Sequence, residues 1–207
     1  MDDQPQVKPS LRERKKAATM RTIQAVALDL FDANGYTAVT VDQIAEAAGV
    51  SPSSVYRYFG TKERLVLHDE YDPQLFGLLA DADGDLADIL SAMRQGIVHI
   101  TRAWSAKDEA DVRRRMGYIL TEPDVFSAML RDQSEFEGAL RGMLAPRIST
   151  TSTQHAGLVH YMVASTLVGG LTSTLYYWAE SGYTHCLADL LDEAMGGVIR
   201  SVEALVR

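Results

Sequence analysis

The stretch from Thr40 to Lys62, TVDQIAEAAGVSPSSVYRYFGTK, constrains the chain more than any other. Thr40 with Gln43 has the pattern of a capping box, and Ser51 followed by Pro52 places a cap and then proline at the first helical position. Two short helices are therefore predicted. Ala48, Gly49 and Val50 form the turn between them, where glycine enters a left-handed conformation without steric penalty. Val41, Ile44, Ala45 and Ala48 share one face of the first helix, and Val50, Val55 and Phe59 continue that apolar surface through the second. Pro52, Ser53, Ser54, Tyr56, Arg57 and Tyr58 remain at or near the outside. This is a helix-turn-helix whose second helix has the size to enter a major groove.

The 207 residues allow one or two domains with a sizeable core. The formal net charge of −8 argues against nucleic acid only until it is divided by position. Residues 1–68 carry nine Lys and Arg against eight Asp and Glu, whereas residues 69–207 carry eleven against twenty. Lys8, Arg12, Arg14, Lys15, Lys16 and Arg21 form a basic arm opposed only by Glu13, the local footprint that phosphate binding requires. The single cysteine, Cys186, cannot form an internal disulfide and is expected as a small buried thiol. The polar, acidic start lacks the apolar core of a signal peptide, so a cytoplasmic location is expected.

Residues around the motif match a known pattern. Ala27, Leu30, Phe31, Gly35, Tyr36, Thr40, Val41, Ile44, Ala45, Ala48, Gly49, Val50, Ser51, Val55, Tyr56, Tyr58, Phe59, Lys62, Glu63 and Leu65 stand at the spacing of the amino-terminal domain of TetR-family transcriptional regulators. The resemblance covers roughly residues 12–68; the remainder is similar in length and helical character alone. It implies an all-α fold, a three-helix amino-terminal helix-turn-helix domain followed by a helical ligand-binding and dimerisation domain. It also implies binding to a palindromic double-stranded DNA operator as a homodimer, and release by a small-molecule effector. The expected divisions are a disordered tail at 1–9, the DNA-binding domain at 10–60 and the helical domain at 61–207.

Among candidate DNA contacts, Arg57 suits either a guanine edge or a phosphate. Ser53, Ser54 and Tyr56 suit bases or phosphates, while Thr40 and Lys62 suit contacts that fix register. Ser51, Pro52, Tyr58, Arg14 and Lys15 complete the set. The resemblance points first to Tyr56 and Lys62.

Downstream, Ser10 and Glu13 open a first helix that Asn34 and Gly35 end, and Thr61 is expected to cap a fourth helix interrupted near Pro73. After a turn at Asp81–Asp85, apolar spacing predicts helices from Leu86 to about Ser105, from Asp108 to about Leu120, and from Pro123 to about Pro146. The polar run Ser149–Thr153 separates these from the last pair. Between His155 and Ala179 there is no Asp, Glu, Lys or Arg, a length sufficient for a membrane span. Seven His, Ser and Thr residues and the lack of a basic flank argue instead for burial, against the same domain or a second subunit. No membrane partner is expected.

No nucleotide-binding loop, hydrolase elbow or metal-ligand motif is present, so neither catalysis, a metal nor a cofactor is expected. An effector cavity is expected among the aromatic, methionine and polar residues of the middle helices, with His99, Trp104, Arg115, Met116, Phe126, Met129, Tyr161 and Trp178 as candidates. Such a lining favours a hydrophobic or aromatic molecule. The rival readings are an activator or ligand-independent regulator, and a helical interaction module or enzyme that keeps the motif as scaffold.

Overall fold

The computed structural model describes residues 10–69, 77, 83–148 and 156–206. The expected tail at 1–9, the break at Pro73, the opening of the Asp81–Asp85 turn, the Ser149–Thr153 separator and His155 lie outside them. The described residues form an all-α fold of nine helices without a strand: α1 Leu11–Asn34, α2 Val41–Ala47, α3 Pro52–Phe59, α4 Glu63–Leu67, α5 Leu86–Arg102, α6 Ala106–Thr121, α7 Pro123–Leu144, α8 Ala156–Glu180 and α9 Leu187–Val206. A single 3-10 turn, Ala145–Arg147, follows α7.

Local chemistry sets the helix starts. The Ser10 hydroxyl accepts the Glu13 N–H at 3.2 Å and the Glu13 carboxylate accepts the Ser10 N–H at 2.8 Å. Thr40 and Gln43 repeat the exchange at 3.3 and 2.8 Å. Both satisfy amides that have no partner inside the helix. Ser105, expected near the end of α5, instead caps α6, accepting the Asp108 N–H at 3.2 Å; α5 stops at Arg102. Thr61 lies one residue ahead of the assigned cap of α4, yet its hydroxyl accepts the Arg64 N–H at 3.4 Å. Gly49 turns the chain between α2 and α3 at φ +67°.

Two buried clusters follow. Ile23, Ala27, Phe31, Tyr36, Ile44, Val55, Phe59, Leu65 and Val66 form the amino-terminal one, which extends past residue 60 through α4 and takes in Val125 from α7. The larger cluster joins α5 to α9, with Leu90, Val163, Leu167, Trp178 and Met195 at its centre. Helix α8 has the length and hydropathy of a membrane span, but it packs along α7 and α9, and its Trp178 is wholly buried with Nε1 donating to the His185 carbonyl at 2.9 Å. Its opposite stripe is open: Leu158, Tyr161, Met162 and Tyr177 are exposed. Cys186 is exposed rather than buried, because it ends the α8–α9 connection and the inward positions there go to Leu187 and Ala188.

Polar clamps join the units. Arg114 of α6 donates to Asp32 at 2.9 Å and to Asp29 at 2.8 Å on α1, and the Tyr118 hydroxyl donates to the same Asp32. Tyr118 also packs edge-on to Phe31, ring centroids 5.7 Å apart. Arg64 of α4 pairs with Asp132 of α7 at 2.7 Å.

Candidate nucleic-acid interface and effector cavity

Helix α3 turns Val55 and Phe59 into the core, which leaves the opposite face to solvent. Ser51, Pro52, Ser53, Tyr56 and Arg57 are exposed, and Ser54 and Tyr58 are half-buried. The Ser51 hydroxyl is the cap itself, accepting the Ser54 N–H at 3.2 Å, and lies 2.9 Å from both the Ser53 and the Ser54 hydroxyls. Arg57 donates to Ser54 at 3.3 Å and lies over the Tyr58 ring, 4.9 Å from its centroid. These contacts hold the guanidinium against the helix rather than loose in water.

Arg57 and Tyr58 also line an open depression of about 1140 Å³ whose other wall is the beginning of α1, including Arg12, Lys15 and Lys16. Arg14 is exposed on the same helix turn without lining it. The basic arm and the second helix of the motif, distant in sequence, thus face one space.

Two candidates have internal duties. Thr40 is exposed, but its hydroxyl is the α2 cap. The Lys62 ammonium donates to the Tyr36 carbonyl and lies 4.2 Å from the centroid of the Tyr36 ring. Burial lowers its pKa, against the opposing pull of Glu63, Glu122 and Asp124. Burial raises the Tyr36 phenol, with the Glu63 carboxylate beside it adding to the shift, so the phenol stays a neutral donor.

A second cavity, of about 330 Å³, lies between α4, α6, α7 and α8. Its volume falls in the range of small-molecule sites. Of the eight residues expected there, Arg115, Met116 and Met129 line it. The other five do not. Trp178 is wholly buried in the core and Trp104 packs against that core. His99 is exposed because Ile97 and Val98 take the inward positions of its turn. Phe126 is 39% exposed because Val125 and Ala128 occupy the inward face of α7. Tyr161 is 57% exposed on the open stripe of α8, with the Arg141 guanidinium 3.9 Å over its ring.

Sequence reasoning missed the cavity's polar residues Gln133, Thr172 and Tyr176, and the contribution of Val66, Leu67 and Asp69 from the end of α4. Thr172 and Tyr176 are four residues apart in a helix whose one Asp, Glu, Lys or Arg is its last residue, Glu180, a spacing that marks one shared face. Among the described residues the Tyr176 hydroxyl donates to the Met129 sulfur alone, at 3.3 Å, and burial raises its pKa. Among the described residues no group of three or more His, Cys, Asp or Glu is placed to hold a metal ion.

Residues 23–68 match the model of the bacterial regulatory proteins of the tetR family, and residues 87–203, more than half of the chain, match the MftR C-terminal domain. The chain belongs to the TetR family. This TetR-family regulator is 29% identical over 199 residues to the putative mycofactocin biosynthesis transcriptional regulator MftR of Mycobacterium tuberculosis, covering 92% of each chain. It is 30% identical over 151 residues to the HTH-type transcriptional regulator TcmR of Streptomyces glaucescens, covering 67% of this chain and 64% of TcmR. Its fold is similar to that of NalD, the secondary repressor of the MexAB-OprM multidrug efflux pump in Pseudomonas aeruginosa (TM-score 0.56, 18% identity, covering 89% of this chain and 96% of NalD). It is also similar to that of Thermus thermophilus FadR, solved in complex with lauroyl-CoA (TM-score 0.53, 18% identity, covering 87% and 93%). Regulators of this family bind DNA, dimerise and bind small-molecule effectors.

Proposed function

We propose that this regulator is a cytoplasmic repressor that binds a palindromic operator as a homodimer and leaves it when a small, largely hydrophobic molecule enters the cavity between α4, α6, α7 and α8. The observation that carries this reading is the double duty of α4. Leu65 and Val66 are wholly buried in the cluster that supports the reading helix, while Val66 and Leu67 also line the cavity. A ligand that alters the cavity acts on an element of the DNA-reading unit without an intermediary.

In this reading Ser53 and Tyr56 face the bases, while Arg57, Arg14 and Lys15 hold phosphates. Thr40 caps α2, and Ser51, Pro52, Ser54 and Tyr58 shape the start and flank of α3. Lys62 reaches a phosphate only if its ammonium leaves Tyr36. The open stripe of α8, with Leu158, Tyr161, Met162 and Tyr177, supports pairing with a second copy. Two copies are needed because one helix reads few base pairs; half-sites about 34 to 36 Å apart follow from dimer symmetry. The ligand shifts the equilibrium only by its differential affinity for the DNA-competent and released forms.

The test is binding of the purified protein to DNA flanking its own gene and to a scrambled fragment across a salt series, followed by nuclease protection. Selective binding that weakens steeply with salt and protects a palindrome is expected. Equal, weak binding to every genomic fragment after removal of bound small molecules would refute the repressor reading.

A further inference from the structure

The cavity has a polar end. Among the described residues that line it, Arg115 is the one cation, and its side chain is only 12% exposed. One amino group of the guanidinium donates to the His68 carbonyl, and the other to the Asp69 carboxylate at 3.1 Å. A guanidinium carries five N–H donors in a rigid fork, so these two contacts among the described residues leave three of them for another acceptor. The lining carboxylates are differently placed: Asp69 already faces Arg115, and Asp132 is paired with Arg64 at 2.7 Å. A cationic ligand would have to compete with arginine for either one. One neutral donor on the same cavity, the Tyr176 hydroxyl, spends itself on a thioether, a weak acceptor that a stronger one readily replaces. Each lining carboxylate thus already faces an arginine, whereas Arg115 keeps N–H groups for a further acceptor; beside Gln133 and Thr172 the rest of the lining, including Met116, Phe136, Leu171 and Leu175, is apolar.

We infer that the effector is an apolar monocarboxylate, its head group held by Arg115 and its tail lying among the apolar side chains of α6, α7 and α8. The inference rests on the reading of this cavity as the effector site. A volume of about 330 Å³ suits a single chain or ring system with one head group.

The same arginine makes the head group informative to the DNA-reading unit. The His68 carbonyl accepts from Arg115 and also, at 2.8 Å, from Gln24 of α1, whose amide donates to the Leu65 carbonyl as well at 3.0 Å. The end of α4 is thus tied by Gln24 to the reading unit and by Arg115 to the cavity. A carboxylate that draws the guanidinium toward the cavity weakens the second tie and leaves the first, so α4 moves relative to α6 rather than unravelling from α1.

The test compares calorimetric binding of decanoate and dodecanoate with that of the corresponding primary alcohols, in the wild type, Arg115→Gln and Arg115→Lys. The wild type is expected to prefer each carboxylate by roughly ten-fold or more, the scale of one hydrogen bond to a charged group. Arg115→Gln is expected to lose that preference while still binding the alcohols, which shows that the cavity is intact; Arg115→Lys keeps part of it. Equal affinity for acid and alcohol in the wild type, or a preference that survives in Arg115→Gln, would overturn the inference. So would failure of both carboxylates and both alcohols to bind. In each of those cases the repressor reading stands or falls separately, by operator protection and by its release with uncharged apolar compounds.

Discussion

Val125 lies on α7, in the carboxy-terminal half of the chain, yet it is wholly buried in the cluster that supports the reading helix. Val125→Ala removes two carbon atoms from a position that water does not reach. At roughly 0.8 kcal/mol per buried carbon the transfer loss is about 1.6 kcal/mol, and the residual cavity adds about 1 kcal/mol more. Alanine's better helix propensity returns up to about 0.5 kcal/mol, so the net cost is about 2 kcal/mol. For a chain of this size the thermal midpoint falls by about 4 to 8 °C. The control is Leu120→Ala on the neighbouring helix, where more carbon is removed from a side chain that is 47% exposed; its cost is about 1 kcal/mol. Both midpoints are read by circular dichroism at one protein concentration, since dimerisation makes them concentration-dependent. If Leu120→Ala proves the more damaging, α7 is not part of the reading unit's core, and the argument that the two units share one packing body fails.

Three further outcomes are expected. Arg57→Ala should weaken binding alike on operator and scrambled DNA and lower the salt slope by about one, because Arg57 shares its depression with Lys15 and Lys16; Tyr56→Ala should instead lower the operator's advantage, with both effects read in one salt series. Ser51→Ala should cost about 1 kcal/mol in a urea titration and Ser51→Asn almost nothing, since asparagine caps equally well. The Asp108 carboxylate is held below its ordinary value of 3.8, chiefly by the Ser105 hydroxyl and then its amide, and Glu13 below 4.5 by the matching pair on Ser10. The unfolded chain therefore binds more protons through the acid range, so this stabilisation is complete above the ordinary values and disappears as pH falls through the lowered ones. Ser105→Ala should flatten the thermal midpoint's decline between pH of about 5 and 3 relative to the wild type.

The elements were legible where their causes are local. Each capping box at Ser10 and Thr40 needs only residues three apart, and the apolar faces of α2 and α3 need only helical period. The cavity was not legible for a different reason. Its walls come from four helices, and apolar residues that line a void have the same composition and spacing as those that fill a core. Trp178 and Met129 are indistinguishable by that standard, yet one is buried against its neighbours and the other borders empty space. Helix α8 posed the same difficulty in reverse. Being apolar on most sides, it could not reveal that Tyr161 and Tyr177 would face outward while Val163 and Leu167 faced in. The end of α5 at Arg102 is not legible in the sequence because Ser105 belongs equally well to a polar helix end and to the cap of the next helix, and only the Asp108 contact decides.

The placement of α4 explains why so short a helix can serve both halves of the molecule. Five residues make too few internal hydrogen bonds to hold a helix in water, so α4 keeps its form through what surrounds it. On one side Leu65 and Val66 are buried with Phe31 and Phe59; at its end Gln24 and Arg115 hold carbonyls that the helix leaves unpaired; across its exposed edge Arg64 reaches Asp132. An element stabilised by its environment follows that environment. Beside the burial of Leu65 and Val66, the Arg115 contacts, each on the scale of about 1.5 to 3 kcal/mol for a hydrogen bond to a charged group, are a sizeable share of what fixes its position, whereas α1, with twenty-four residues and its own capping box, holds many more hydrogen bonds of its own. Under the proposed function, sensitivity to a ligand is therefore concentrated in α4, and the rigidity needed to present α3 to DNA resides in α1.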